Sequence, residues 1–505
     1  MIRKYFIHFI LGISVAVVIS IPLLRSVDRG FNHDEHQFIV PSVLIARDGL
    51  LPYLNYALFH QPYGVLLNAF LIKCGGWPLL TARLVSGIAS GGTLAALFLL
   101  ACFRLHEHPL RTRLLGAWTG VFLVFGSPVF LHTSGRSWNH DLPTFLALVA
   151  AFLASNGRAD SGWFRFLMIG ALGGLTVGLR LTFAPFALLL GLSPWLLPNI
   201  SVRIKWNQIF LISLGTVATL LPSIWFYGQA PDRYLFGNFQ YPAVSYLDEV
   251  RGAIPDPMLP LEKLIYFLRK IALPDAAFFL ALAVTIPAVI RNWKDRDNRG
   301  GIIFLALAAS LLIGAVAPAR LHEQYFYSPM ILALGASLWT LPHLGNRKRC
   351  FLAGLAAVGF FFQVPNLLDW KDCFSFKNWT VNKVHQSAIK MRGIVPAGCI
   401  LTLSPTLAVE AGLKVYPELA LGPFGWRCAE LFPEARQREL MLIGPDDLEL
   451  LIEKNAPQAI LTDVKEPDIE IPLVEYARSH GYQPQTFERR LVLWLPANDT
   501  AKPAK

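Results

Sequence analysis

The chain has 505 residues, of which 54% are hydrophobic and only 16% are charged, and its formal net charge is +11. A soluble protein of ordinary composition carries about a quarter charged residues, so the composition argues against an ordinary soluble enzyme. The positive charge does not indicate a nucleic-acid partner, because it lies in short connections between apolar runs and not on a polar domain.

Apolar runs of about 15 to 22 residues recur as far as residue 366, and a helix of that length can cross a bilayer. The first run follows Arg3 and Lys4 and lacks a cleavage site of small residues, so it predicts an uncleaved anchor. About eleven transmembrane helices are predicted: residues 5–24, 81–103, 114–131, 142–155, 166–179, 182–198, 209–227, 273–290, 301–317, 329–343 and 350–366.

Lysine and arginine are concentrated in alternate connections between these runs. Cytoplasmic loops carry such an excess, so the basic connections are predicted to lie inside; they are 104–113, 156–165, 198–208, 291–300 and 345–349. The N-terminus is then cytoplasmic, and an odd number of spans places the tail outside. We therefore expect a multi-pass protein of the bacterial inner membrane with a periplasmic or extracellular tail. Nearly every polar cluster falls on the outer face.

The first outer loop carries two adjacent carboxylates, Asp34 and Glu35, just after the first span. Such a pair can act as a base or hold a divalent metal, and helix capping is the structural alternative. His60 precedes a predicted short helix, whose N-terminus favours anions, and a solvated turn histidine is the alternative. Between these motifs, residues 38–48 predict a helix that lies in the membrane interface.

Two further outer connections carry charge. Arg136, His140 and Asp141 lie where the third and fourth spans meet, and Asp141 at the mouth of a span is costly unless it is paired, functional or a helix cap. Arg180 stands between two short apolar runs with no acid nearby in the sequence. A lipid phosphate is its natural partner, and snorkelling to the interface is the alternative.

A dense polar motif follows the ninth predicted span. Arg320, His322, Glu323 and Tyr325 bring a cation, an imidazole, a carboxylate and a phenol into about two helical turns. Such a density of polar groups between two membrane runs favours a functional site over a plain connection.

The tail differs in character from the rest of the chain. Residues 367–505 carry 16 basic and 18 acidic residues, and strand-like runs at 400–403, 459–461 and 491–495 alternate with helical patterns. We predict a small α/β domain at 367–505 behind a transmembrane domain at 1–366. The tail cysteines, Cys373, Cys399 and Cys428, could form one bridge or remain isolated buried thiols.

In this order, the motifs resemble those of the GT-C class of membrane glycosyltransferases. The resemblance is closest to the branch that holds protein O-mannosyltransferases and lipid A aminoarabinose transferases (glycosyltransferase family 39). It covers about residues 1–345. Four motifs carry it: Asp34-Glu35 after the first span, His60-x-Pro62 before a short helix, Ala82-Arg83-Leu84 at the second span, and Arg320-x-His322-x-x-Tyr325.

The resemblance implies an all-α polytopic GT-C domain and a polyprenyl-phosphate sugar donor. The sugar would be transferred with inversion to an acceptor hydroxyl on a glycan, lipid or protein. In the family the first-loop acid is the essential carboxylate, which maps onto Asp34 with Glu35 beside it. The leaving phosphate needs cations and hydrogen-bond donors, for which the candidates are His60, Arg180, Arg320, His322 and Tyr325.

An acceptor or second acidic site is assigned to Arg136, His140, Asp141 and Glu323. Some relatives hold a divalent metal near the two acid motifs, so Asp34, Asp141 and His322 are candidate metal ligands.

Two departures leave the acceptor open. One proline follows His60 where the family often has two, and the sugar-binding trefoil domain of eukaryotic protein mannosyltransferases is not evident. A ligase of the O-antigen type is an alternative, because the outer loop 228–272 carries Asp248, Glu249 and Arg251. A transporter would instead show polar groups at the membrane midplane and two symmetric halves with broken helices.

Overall fold

A computed structural model describes residues 2–156, 162–196, 201–244, 257–295, 298–368, 373–453, 455–463, 467–488 and 490–497. The α-helices in these ranges are α1 Ile2–Asp28, α2 His36–Val43, α3 Tyr63–Lys73, α4 Pro78–Arg104, α5 Leu110–Phe125, α6 Pro128–Thr133, α7 Asp141–Ser155, α8 Trp163–Leu179, α9 Ala184–Leu192, α10 Val202–Gln229, α11 Pro231–Leu235, α12 Tyr241–Val244, α13 Pro260–Tyr266, α14 Ala276–Arg291, α15 Arg299–Val316, α16 Tyr327–Trp339, α17 Asn346–Leu368, α18 Thr380–Ile394, α19 Thr406–Glu410, α20 Pro423–Ala429, α21 Glu434–Leu440, α22 Leu448–Glu453 and α23 Pro467–Ser479. The strands are β1 Cys399–Thr402, β2 Lys414–Val415, β3 Ala459–Asp463, β4 Tyr482–Glu488 and β5 Leu491–Pro496.

Four helices, α1, α4, α10 and α15, are long and apolar enough to cross a membrane, and the number is five if the bent pair Pro260–Ala272 and Ala276–Arg291 is one span. This count covers the described residues. Several shorter apolar helices accompany them. In α1 and α10 only 17% and 22% of the most apolar window is buried, so these helices present apolar side chains outward, as lipid contact requires. The chain is an integral membrane protein.

Over its described residues each predicted span is largely helical, but only four or five of the eleven contain a helix long and apolar enough to cross a membrane, and the third is not one helix. Residues 114–131 are divided, because α5 ends at Phe125 and α6 begins at Pro128. Between them Ser127 is extended, at φ −93° and ψ 116°, and its side chain accepts a hydrogen bond from the Phe130 amide at 3.2 Å. Pro128 has no N–H to continue a preceding helix, so the break is encoded locally.

Contacts divide the described residues into two compact units. The helical unit falls within Met1–Ser26, Leu84–Ser223 and Pro257–Phe374, and the mixed unit within Val27–Arg83, Ile224–Asp256 and Ser375–Lys505. The first outer loop thus groups with the tail by its contacts. The division at residue 366 was drawn along the sequence and stays a prediction about domains.

In the helical unit, α8 and α10 approach each other closely. A Cβ added to Gly170 would lie 1.9 Å from the Ile212 carbonyl oxygen, and one on Gly174 would lie 2.6 Å from the Thr216 oxygen. Two small residues four apart permit such contact between membrane helices. The Thr216 hydroxyl also donates to the Gly170 carbonyl at 3.0 Å. This packing fixes α8, which ends one residue before Arg180.

In the mixed unit, a five-stranded sheet has the order β2-β1-β3-β5-β4. Strands β2, β1 and β3 are parallel, and β5 is antiparallel to both β3 and β4. The three strand-like runs predicted from the sequence are β1, β3 and β5. Strand β4 was not predicted, because it is largely exposed and shows no clear alternation of apolar residues. Cys399 and Cys428 are buried thiols that form no disulfide.

The prediction that residues 38–48 lie in the membrane interface is wrong. All eight residues of α2 are buried. The segment is held by protein contacts within the mixed unit. The Nδ1 atom of His36 lies 2.7 Å from the Thr406 hydroxyl, and the Arg47 guanidinium donates to the Val409 carbonyl at 2.6 Å. Its apolar residues therefore pack against protein, which the amphipathic pattern could not distinguish from packing against lipid.

Candidate functional site

The first outer loop forms a tight acidic turn over residues 32–35. Asn32 is extended, and its side chain accepts a hydrogen bond from the Asp34 amide at 2.9 Å. The Asn32 amide donates in turn to a Glu35 carboxylate oxygen at 2.9 Å. This reciprocal arrangement is a capping box, so Asn32 and Glu35 set the conformation of the turn.

Glu35 is completely buried and forms an ion pair with Arg83 near the start of α4. The Nε and Nη2 atoms of Arg83 donate to the two carboxylate oxygens at 2.5 and 2.6 Å, and neither side chain is exposed. Arg83 also donates to the carbonyls of Arg29 and Gly30, at 3.1 and 3.2 Å. A bidentate pair of this kind holds the loop in one orientation. Glu35 therefore has a positioning role in this geometry.

Asp34 differs from its neighbour because solvent reaches it. Its side chain is 32% exposed, and one carboxylate oxygen lies 3.3 Å from Nε2 of His33. The His33 ring stacks on Phe424 at a centroid distance of 5.7 Å. Of the two predicted catalytic carboxylates, Asp34 is thus the one that an external molecule can reach.

His36 follows the acidic turn and is buried. Burial lowers its pKa to about 3 from an ordinary value of 6.5; nearby His33 adds to this shift and Glu35 opposes it. Between about pH 3 and 6.5 the unfolded chain binds a proton that the folded chain excludes, so His36 makes stability rise with pH over this window.

We expect His36→Gln to flatten the dependence of Tm on pH between pH 4 and 6, because glutamine carries no titrating proton. Scanning fluorimetry of the protein in detergent would measure this. His106→Gln, at an exposed histidine, is the control. A His36→Gln slope equal to that of the wild type would contradict the assignment.

His60 also belongs to the mixed unit. Its ring stacks on Phe38 at 4.9 Å, and its carbonyl accepts a hydrogen bond from the Tyr53 hydroxyl. The neighbouring Gln61 is buried and bonds to Asn238 and Tyr234 at 3.0 and 2.9 Å. These contacts hold the segment before α3, and the phosphate-binding role of His60 stays a prediction.

Arg180 is the centre of a polar cluster in the helical unit. Its Nη1 atom donates to the Asn139 side-chain oxygen at 2.6 Å and lies 3.0 Å from Nε2 of His140. Its Nε atom donates to the Thr182 hydroxyl at 3.0 Å, and the guanidinium lies over the Tyr325 ring at 5.0 Å. Within the described ranges no carboxylate pairs with Arg180, so all its partners there are neutral.

His140 extends the cluster toward Arg136. Because Arg180 is a donor, Nε2 of His140 accepts, which requires a neutral imidazole with its proton on Nδ1. Trp138 lies 5.9 Å from the His140 ring, and the Arg136 guanidinium lies 4.7 Å above the Trp138 ring. The structure thus brings two predicted site cations into one series of contacts.

Asp141 closes the turn that carries this cluster. It is buried in the first turn of α7, and one carboxylate oxygen accepts from the Gly135 amide at 2.8 Å. Gly135 has φ +79°, a conformation that a residue with a side chain rarely adopts. This contact gives Asp141 a structural role; its assignment to a second acidic site stays a prediction.

His322 and Tyr325 connect the late motif, residues 320–325, to the polar cluster around Arg180. Glu323–Phe326 forms a short 3₁₀ turn, and the Tyr325 ring lies 5.3 Å from His322 and 6.4 Å from His140. Tyr325 therefore joins the predicted late motif to Arg180. In the sequence Arg320 precedes these two residues and Glu323 lies between them.

The divalent metal stays a prediction. Over the part of the chain that the structure describes, no group of three or more histidine, cysteine, aspartate or glutamate side chains is arranged to hold a metal ion. We derive no step through a metal.

Some residues of the functional predictions cannot be compared with the structure, and some contacts at the site were not predicted. Asp248, Glu249 and Arg251, on which the ligase alternative depends, lie outside the described residues. Conversely, the sequence did not predict Asn139 or Thr182 as partners of Arg180. In the sequence Arg83 stands out only as part of the Ala82-Arg83-Leu84 motif. A charge within the first two turns of an apolar helix was the available signal for a buried ion pair.

The chain is similar to solved membrane glycosyltransferases. It aligns with ArnT from Cupriavidus metallidurans in the apo state over 100% of both chains, at a TM-score of 0.61 and 12% identity. With ArnT bound to undecaprenyl phosphate the TM-score is 0.60 and the identity 13%, over 98% of this chain and 99% of that one. The archaeal oligosaccharyltransferase AglB from Archaeoglobus fulgidus, in complex with an inhibitory peptide and a dolichol-phosphate, gives a TM-score of only 0.49 at 12% identity, over 95% of this chain and 73% of that one.

No protein-family model matches the sequence, and no curated protein sequence matches it. The structural likeness shows the fold. The chain has the GT-C fold, with a small mixed sheet near its C-terminus, as the sequence predicted.

Proposed function

We propose that the chain transfers a sugar from a polyprenyl-phosphate donor to an acceptor hydroxyl, with inversion, at the outer face of the membrane. The observation that carries the proposal is the set of partners around Arg180. Its guanidinium is partly buried and is held by an amide, an imidazole, a hydroxyl and an aromatic ring. The positive charge is thus positioned without being neutralised.

A partly buried, uncompensated arginine is costly unless an anion joins it. A phosphate supplies two or more oxygens for the planar guanidinium and accepts charge-assisted hydrogen bonds. Tyr325, which lies against Arg180, and His322, which contacts Tyr325, can donate further hydrogen bonds to phosphate oxygens. The cluster therefore suits the phosphate of the donor and stabilises the charge that grows on it as it leaves.

The fold supports the same choice of donor class, because one solved structure of ArnT, which has this fold, holds undecaprenyl phosphate. A long polyprenyl tail also suits a chain whose helices expose apolar side chains to lipid. The source of the sugar is therefore a membrane lipid, and the acceptor is a glycan, lipid or protein that reaches the outer face.

Asp34 is the proposed base. The acceptor O–H gives its proton to the Asp34 carboxylate while its oxygen forms a bond to the anomeric carbon. The bond between that carbon and the phosphate oxygen breaks, and the polyprenyl phosphate leaves with the electron pair. Attack opposite the leaving group inverts the anomeric configuration. The protonated Asp34, being partly exposed, then returns its proton to water.

Replacing Arg180 tests the phosphate site directly. We expect Arg180→Gln to weaken binding of undecaprenyl phosphate by about 10- to 100-fold, because it removes a charge-assisted hydrogen bond. The affinity of Arg180→Lys for undecaprenyl phosphate should lie between that of the wild type and that of Arg180→Gln, since lysine retains the charge but lacks the planar guanidinium. Affinity would be measured by native mass spectrometry of the purified protein at a series of lipid concentrations.

Arg203→Gln, at an exposed arginine in α10, is the matched control and should bind the lipid as the wild type does. Undecaprenol, which lacks the phosphate, should bind Arg180→Gln and wild type alike. Equal affinity of Arg180→Gln and wild type for the phosphate lipid would contradict the proposed phosphate site.

A further inference from the structure

A cavity of about 530 Å³ lies in the mixed unit, outside the groups assigned above to the phosphate. This volume is within the range of small-molecule sites in proteins. Its lining includes His33 and His36 of the first outer loop. It also includes Ser404, which follows β1, and Asp463, the last residue of β3.

The place of the cavity in the sheet is informative. From β1 the chain crosses to β2 on one side, and from β2 it crosses back to β3 on the other side of β1. The order of strands therefore reverses between β1 and β3, which are adjacent and parallel. In open α/β sheets, ligands bind outside the carboxyl ends of the strands at such a reversal. Ser404 and Asp463 lie at those carboxyl ends.

The walls suit a neutral ligand rich in hydroxyl groups. Lys383 and Arg490 supply two cations, and three carboxylates, among them Asp463 and Glu488, supply acceptors. Such a mixture disfavours a phosphate, which the carboxylates would repel. A sugar hydroxyl donates and accepts, so it can bond to both kinds of group. Phe31 adds an aromatic face for the apolar side of a sugar ring.

The cavity also borders the proposed base. His33 lines it, and Nε2 of His33 lies 3.3 Å from the Asp34 carboxylate. A ligand hydroxyl next to His33 would therefore be close to the group that is to take its proton.

We propose that this cavity binds a sugar residue of the acceptor, the residue that carries the accepting hydroxyl. The inference rests on the proposed function and adds the chemical class of the acceptor to it. The acceptor is then a glycan or a glycolipid, and the α/β part of the chain recognises it.

The proposed cavity site is tested by measuring the binding of sugars to the full-length protein in detergent, which does not depend on sugar transfer. The probes are glucose, galactose, glucosamine and N-acetylglucosamine, with inorganic phosphate for comparison, measured by saturation-transfer difference NMR. We expect at least one sugar to bind the wild type. We expect Ser404→Trp, which fills the cavity, and Lys383→Met, which removes a donor at an exposed position, to weaken that binding at least 10-fold.

Matched controls are Ser479→Trp on α23 and Lys377→Met, both exposed and neither lining the cavity. They should bind the sugar as the wild type does. Asp34→Asn should also keep sugar binding, because asparagine leaves the cavity wall in place. If the wild type turned over no polyprenyl-phosphate sugar but bound a probe sugar that Ser404→Trp lost, the proposed function would fail and the cavity site would stand.

Three results would overturn the cavity site: no probe sugar binds the wild type, phosphate binds there in place of sugar, or the cavity variants bind the sugar as well as their controls do.

Discussion

Asp34→Asn is expected to lower the rate of sugar transfer by about 10²- to 10⁴-fold, the usual contribution of a general base. Asparagine has nearly the shape of aspartate but cannot take a proton, so donor binding should persist while the chemical step fails. The capping box should also survive, since it uses the Asp34 amide and the Glu35 carboxylate. The measurement is release of radiolabelled sugar from polyprenyl-phosphate hexoses by the purified protein in liposomes.

Asp48→Asn provides the control for this variant, because Asp48 is an exposed aspartate in the same loop. It should turn over at the wild-type rate. Donor affinity, measured separately, should be unchanged in Asp34→Asn. If Asp34→Asn retained full activity, Asp34 would have only a structural role at the start of a helix, and another residue would have to be the base.

Arg83→Met is expected to destabilise the fold by about 3–5 kcal/mol, since it leaves the Glu35 carboxylate buried without its cation. Methionine fills much of the same volume, so the loss reports the missing charge more than a void. The free energy of unfolding would be measured by titrating the protein from mild detergent into sodium dodecyl sulfate micelles. Activity should fall as well, because Arg83 holds the loop that presents Asp34.

Two further variants distinguish the loss of the Arg83–Glu35 ion pair from the general effect of replacing an arginine by methionine. Arg111→Met, at an exposed arginine, should change stability by less than about 0.5 kcal/mol. The double variant Arg83→Met/Glu35→Leu should recover a large part of the loss, because no buried charge remains unpaired. An Arg83→Met protein as stable as Arg111→Met would show that the pair contributes little.

The membrane helices could be predicted from the sequence alone, because a bilayer requires long apolar helices and that requirement leaves a local signal. The strands β1, β3 and β5 could be predicted for a similar reason, since each is a short apolar run between polar segments. The broken third span was also encoded locally, in Ser127 and Pro128, although the apolar run across them hid it.

The types of residue at the site were predicted from the sequence, and their partners were not. Glu35 and Arg83 are 48 residues apart, and Arg180 and Asn139 are 41 apart. Nothing in the local pattern at Asp34 and Glu35 distinguishes a reachable carboxylate from a buried one. Pairing and burial are decided by contacts between distant segments, so only the tertiary structure separates the partly exposed Asp34 from the fully buried Glu35.

Long-range packing also decides whether α2 is buried and where the cavity forms. The sequence pattern of an apolar helix face is the same whether lipid or protein covers it, and in the tertiary structure α2 is buried against protein. The cavity depends on which strands are neighbours, and the strand order is a property of the folded sheet. The sequence by itself determined the membrane class and the position of the apolar helices, whereas the full number of spans and the residues of the chemistry stay predictions. Tertiary structure decided which charge is neutralised, which is left available, and where a ligand has room, because each of these depends on long-range packing.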